Sequence, residues 1–124
     1  MEAIQKKFEE ELSKFQKSQS DLNKHISQRQ ILESQLTENK FVKEELDLLK
    51  KEDAIYKLVG PVLLKQDLVE ASQTVEKRID YIQNEIKRHE NLIKETESKQ
   101  DSLKESLNKI QQQMQQAKLK TMQK

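Results

Sequence analysis

The sequence predicts a mainly α-helical fold. Two long helices form an antiparallel coiled coil, and one β-hairpin joins them and completes an intermolecular sheet or β-barrel with other chains. Three observations carry this prediction. Charged residues make up 36% and hydrophobic residues 33% of the 124 positions, with 4% aromatics. That is thin for a globular core but enough for a narrow helical seam. Apolar residues recur at the 3.5-residue spacing of a coiled coil through the second half. The only glycine and the only proline stand side by side at Gly60 and Pro61, inside the densest apolar run, AIYKLVGPVLLKQD. These features divide a single domain, 1–124, into a helix over 1–50, a linker and hairpin over 51–66, and a helix over 67–124.

The first helix rests on Phe8, Leu12, Phe15, Leu22, Ile26, Leu32, Leu36, Leu46 and Leu49, which keep near-helical spacing. Gln19 and Arg29 fall on the same stripe, and its phase drifts between Ile26 and Leu32. No glycine or proline precedes residue 60. The helix is expected from about residue 2 to about residue 50, with Lys50 and Lys51 near its negative C-terminal end.

The hairpin follows. Ile55 to Val59 and Val62 to Lys65 read as strands, and Val59-Gly60-Pro61-Val62 as the turn. A two-residue loop with glycine first suits a type II′ turn, whose first central residue needs positive φ and whose second accepts proline. Both faces of these strands are apolar. Ile55 and Val59 lie on one, Tyr56 and Leu58 on the other, and Val62, Leu63 and Leu64 follow in sequence. A lone two-stranded hairpin is marginal in water, and its open edges invite other strands. Covering such side chains is worth roughly 1.5–3 kcal/mol each when burial is complete. The hairpin is therefore expected to be an assembly element, completed by hairpins of other chains.

The second helix carries the clearest pattern. One set of positions reads Ser72, Ile79, Ile86, Ile93, Gln100, Leu107, Met114, Thr121, and the other Leu68, Val75, Ile82, His89, Thr96, Leu103, Ile110, Ala117. Most are apolar, whereas off this stripe, within residues 68 to 121, only Val69, Ala71, Tyr81, Leu92 and Leu119 are. The periodicity excludes full disorder, the other reading of so polar a composition. Asp67 is a good N-cap, and Glu70 stands three residues on, as in a capping box. About 55 residues make a helix roughly 80 Å long.

Each helix has one stripe to bury, so neither stands alone. The short connection makes them antiparallel neighbours, with partner numbers adding to about 117 in a coiled-coil register. Phe8 then faces Lys109, Phe15 faces Ser102, Leu22 faces Glu95 and Leu36 faces Tyr81, within a turn. His89, Thr96, Gln100, Gln19 and Arg29 make the centre of the seam polar, which lowers stability and helps fix register. Ile4, Phe8, Leu12, Phe15, Leu107, Ile110 and Met114 gather at the end away from the hairpin.

The stretches IYKLVGPVLLKQDLVEA and VEKRIDYIQNEIKRHENLI, with ENKFVKEELDLL upstream, resemble the β-class subunits of prefoldin. The specific likeness covers about residues 36 to 95, and one hairpin rather than two marks the β class. The resemblance implies a heterohexamer of α- and β-class subunits, whose hairpins join in a double β-barrel from which the coiled coils hang. It implies that the distal tips hold unfolded proteins, notably actin and tubulin chains, for transfer to a cytosolic chaperonin without ATP. The tip residues named above then have two readings: ordinary seam packing, or splayed turns that present apolar side chains to a client. Methionine suits adaptable contacts of that kind.

The sequence disfavours other functions. Lys and Arg total 23 against 22 Asp and Glu, interleaved, without the basic face of a nucleic-acid binder. One glycine cannot build a phosphate-cradling loop. His25 and His89 are the only histidines, and no carboxylates join them at ligand spacing, so no metal, cofactor or catalytic residue is expected. No apolar run approaches the roughly 18 residues of a membrane span, no signal peptide opens the chain, and there is no cysteine. A cytoplasmic protein is expected. The competing function is a scaffold or tethering coiled coil with no chaperone activity, in which the hairpin is incidental.

Overall fold

The computed structural model describes residues 2–50 and 53–122. Helix α1 spans Glu2–Asp47, strand β1 Ile55–Val59, strand β2 Val62–Gln66 and helix α2 Leu68–Met122. The order is the predicted one, helix–hairpin–helix, with the second strand one residue longer than expected.

Helix α1 stops at Asp47, three residues short of the expected end. Its last turn holds Glu44, Glu45 and Asp47 and no basic residue, so acidic side chains meet the negative end of the helix dipole. The chain tightens there. Leu48 N–H donates to the Glu45 carbonyl at 3.2 Å and Leu49 N–H to the Leu46 carbonyl at 3.1 Å, the i→i−3 pattern that often closes a helix. Lys50 does not cap α1. Its N–H donates to Asp53 Oδ2 at 2.7 Å, and Asp53 N–H donates back to the Lys50 carbonyl at 2.9 Å. Lys51 lies outside the described residues. Helix α2 starts as expected, with Ala71 N–H donating to the Asp67 carbonyl at 2.9 Å and Glu70 in its first turn.

The chain divides into two compact units. One runs from Gln28 to Arg88 and contains the hairpin with the adjoining parts of both helices. Leu46, Ala71, Val75 and Ile79 form its core, and Leu36, Ile55 and Leu68 pack against them. Lys43 Nζ meets Glu76 Oε1 across the helices at 3.7 Å. Ala71 lies off the predicted stripe of α2 yet is buried, because this cluster also takes in Ile55 of the hairpin.

The other unit joins α1 up to Ser27 with α2 from His89 onward. The His25 and His89 rings stand 5.7 Å apart between centroids, and Lys104 Nζ lies 6.0 Å from the centre of the Phe15 ring. A lower residue of α1 faces a higher residue of α2, so the segments are antiparallel. Both pairs fall within about a turn of the predicted register. Leu103 and Ile110 are buried here, Ile110 at 3% exposure.

The buried stripe of α2 is the predicted one. Of its positions only Thr121 is exposed. The stripe of α1 is the predicted one at Phe8, Leu12, Phe15, Leu22, Arg29, Leu32, Leu36 and Leu46. Its buried and half-buried positions are Ile4, Phe8, Glu11, Leu12, Phe15, Ser18, Asp21, Leu22, His25, Arg29, Leu32, Leu36, Asn39, Lys43 and Leu46. Apart from the adjacent pairs Glu11–Leu12 and Asp21–Leu22 they step by three and four, so the expected phase drift is absent. Gln19 is exposed, Ile26 is 38% exposed, and Leu49 lies exposed beyond the helix. At Gln19 and Ile26 the expected stripe is one position off, because the real one passes through Ser18 and His25.

Candidate functional site

The hairpin is built by its turn. Val59 pairs with Val62, leaving Gly60 and Pro61 as the loop. Gly60 has φ +57°, a conformation open to glycine at little cost. Pro61 holds φ near −65°, which excludes a type I′ turn and leaves type II′. The register then sorts the side chains onto two faces, since directly opposed residues share a face. Ile55 and Gln66, Lys57 and Leu64, and Val59 and Val62 lie on one. Tyr56 and Lys65, and Leu58 and Leu63, lie on the other.

Only the base of this ribbon is covered. Ile55 is half-buried against the core cluster. Tyr56, Leu58, Val59, Val62, Leu63 and Leu64 are all exposed, Leu58 at 69% and Leu63 at 63%. The two strands form a two-stranded sheet, so each has an outer edge with backbone donors and acceptors facing away from its partner. Covering the six exposed side chains would contribute on the order of 5 kcal/mol, comparable with the whole stability of a small domain.

The candidate tip residues occupy the other unit. Ile4, Phe8, Leu12 and Phe15 of α1 and Leu107 and Met114 of α2 are half-buried, while Ile110 is buried. The first six pack on the seam and keep part of their surface open. Leu119 and Met122 on α2, neither of which the sequence reading assigned to the tip, are exposed. They lie off the stripe, so heptad spacing carried no signal for them.

Catalytic features are sparse. Among the described residues, no group of three or more His, Asp or Glu side chains is placed to hold a metal ion. An open groove of about 590 Å³ in the hairpin unit is lined by Gln35, Asn39, Thr74, Lys77, Arg78, Tyr81 and Ile82, with neither a carboxylate nor a histidine. The Arg88 guanidinium is held above its ordinary value by hydrogen bonds to the Glu85 carboxylate and by that carboxylate's charge. The two are ordinary i,i+3 neighbours on α2. Among the described residues no helix is long and apolar enough to cross a membrane.

Two long helices joined by a hairpin with exposed apolar side chains on both faces define a class of protein: a helix–hairpin–helix coiled-coil chain. The family model described as prefoldin subunit matches residues 9–123, and the chain belongs to that family. It is 51% identical over 116 residues to prefoldin subunit 6 of Bos taurus and of Homo sapiens, covering 94% of this chain and 90% of each relative. It is 42% identical over 112 residues to prefoldin subunit 6 of Arabidopsis thaliana, covering 90% and 87%. The crystal structure of the prefoldin beta subunit from Thermococcus strain KS-1 matches with a TM-score of 0.56 at 23% identity, over 90% of this chain and 91% of that one. The beta2 subunit of the same strain matches with a TM-score of 0.63 at 23% identity, over 74% and 98%. At that identity the likeness shows the fold alone. Prefoldins are chaperones rather than enzymes, and membership implies assembly with other prefoldin subunits.

Proposed function

We propose that this chain is an ATP-independent holding subunit of a cytoplasmic heterohexamer. Its hairpin binds the hairpins of α- and β-class partners. Its helix ends contact unfolded proteins, such as actin- and tubulin-like chains, which then pass to a chaperonin. The observation that carries this reading is the state of the tip residues. Ile4, Phe8, Leu12, Phe15, Leu107 and Met114 are each half-buried, so an apolar client segment can reach them without unfolding the helix pair. A contact at such a position contributes roughly half of the 1.5–3 kcal/mol of full burial. One tip therefore binds weakly, while several tips acting on one client bind well through effective concentration. No nucleotide is needed for this cycle, since capture is reversible apolar contact.

The test is truncation. Hexamers carrying this subunit without residues 1–12 and 108–124 are compared with intact ones for suppression of aggregation of a denatured protein. The deletion removes Ile4, Phe8, Leu12, Ile110 and Met114 and leaves the hairpin unit, Gln28 to Arg88, whole. The expected result is normal assembly with a partial loss of holding, because other subunits still offer their tips. Truncated hexamers that hold every client as well as intact ones would reduce these residues to seam packing.

A further inference from the structure

We propose that Lys57 makes the β1 edge of the hairpin selective. It accepts a strand from another prefoldin subunit that carries a carboxylate directly opposite Lys57, and it disfavours a second copy of its own β1. The proposal rests on the reading that the hairpin is the assembly element.

The two edges of the ribbon differ at their centres. Lys57 is the middle residue of β1 and Leu64 the middle residue of β2, and the two are paired across the hairpin. On β1, Lys57 is flanked on its own face by Ile55 and Val59, so one ammonium group stands in an otherwise apolar strip. A strand that adds antiparallel to β1 with all five residues paired sets its own middle residue against Lys57. When that strand is a second β1, the middle residue is again Lys57. Two ammonium groups then meet with their Cα atoms about 4.5–5.5 Å apart, an arrangement that destabilises a cross-strand pair. A one-residue slip turns every side chain to the other face, and a two-residue slip gives up ladder pairs at the ends.

An aspartate or glutamate at the facing position reverses the sign. Its oxygens accept charge-assisted hydrogen bonds from Lys57 Nζ, and the pair is drawn partly out of water by the flanking apolar residues. An apolar residue there would instead leave the ammonium uncompensated as Ile55 and Val59 become covered. The β2 edge has no such filter, because two β2 strands aligned in the same way set Leu64 against Leu64. Lys65 lies on the opposite face, paired with Tyr56, and does not enter the β1 contact.

The experiment uses the full chain co-expressed with the other prefoldin subunits, its incorporation measured by native mass spectrometry across a dilution series. Lys57→Met keeps the stem and removes the charge; it is expected to weaken incorporation about five-fold. Lys57→Glu sets like charges together and is expected to weaken it more than ten-fold, with recovery when the facing carboxylate of the partner is changed to lysine. Helicity by circular dichroism should match wild type in both, since Lys57 is exposed. A Lys57→Glu chain that incorporates as tightly as wild type overturns the proposal. Val59→Asp with Leu63→Asp, one charge on each face, separates this failure from that of the wider reading. If the double variant still assembles, the hairpin is not the assembly element and both readings fall. If it fails to assemble while Lys57→Glu assembles normally, only the charge selection falls.

Discussion

Ser18 is a polar residue in an apolar place. It is 3% exposed, and its hydroxyl oxygen has no hydrogen-bond partner among the described residues. A buried hydroxyl left unpaired costs about 1–3 kcal/mol, and alanine at the same site loses little packing and no helix propensity. Ser18→Ala should therefore stabilise the helix pair by about 1 kcal/mol, raising Tm by a few degrees in a chain of this size. The check is thermal loss of helical ellipticity on the assembled complex, where oligomeric state is held constant. A fall in Tm would mean that the hydroxyl makes a bond that matters. Ile26 is the converse case: an apolar residue on the outer surface of α1, where change is expected to stay within about 0.5 kcal/mol. The sequence reading placed Ile26 on the seam and did not single out Ser18.

At the scale of elements, legibility followed the purity of each stripe. In α2 the apolar residues outnumber the polar ones at seam positions, so spacing alone recovered the buried set apart from Ala71, including the polar members His89, Thr96 and Gln100. In α1 the seam takes Glu11, Ser18, His25, Arg29, Asn39 and Lys43, and Gln19 and Ile26 offered a plausible false phase. The early end of α1 was hidden because it depends on three acidic residues and on the mutual hydrogen bonds of Lys50 and Asp53, neither of which breaks helical periodicity. The hairpin was the easiest element to read, since glycine and proline occur once each and together. It is also the element with the largest consequence for the isolated chain. With Tyr56, Leu58, Val59, Val62, Leu63 and Leu64 exposed, contiguous apolar surface has no intramolecular cover. The purified chain alone is expected to be strongly helical by circular dichroism, yet to self-associate and to bind a dye that reports exposed apolar surface. A monodisperse monomer at high concentration without dye binding would contradict this.

At the scale of the whole molecule, the candidate sites lie in different units. The hairpin belongs to the unit from Gln28 to Arg88, and the tip residues belong to the unit made from the two ends of the described chain. On the proposed function, assembly and client contact can therefore be altered separately, by charge in the hairpin or by truncation at the tips. Family membership was readable from residues 36 to 95 because the hairpin and its flanks constrain residue identity. The outer helices carry only a heptad pattern, which any coiled coil shares.

The division into units also sets an order in time. The hairpin unit is continuous in sequence, so a nascent chain holds all of it once residue 88 has left the ribosome. The other unit must bring residues before 28 together with residues after 88, and its closure waits for later synthesis. Contacts between near neighbours in sequence form before distant ones, because they confine less chain. Pulse-labelling hydrogen exchange during refolding should accordingly show amides of 28–88 protected ahead of those at either end. Equal protection rates throughout would mean that the chain folds as one step. The expected order gives the chain an open β-edge before its helix ends are paired, so on the proposed function partner selection can start before the proposed client surface exists.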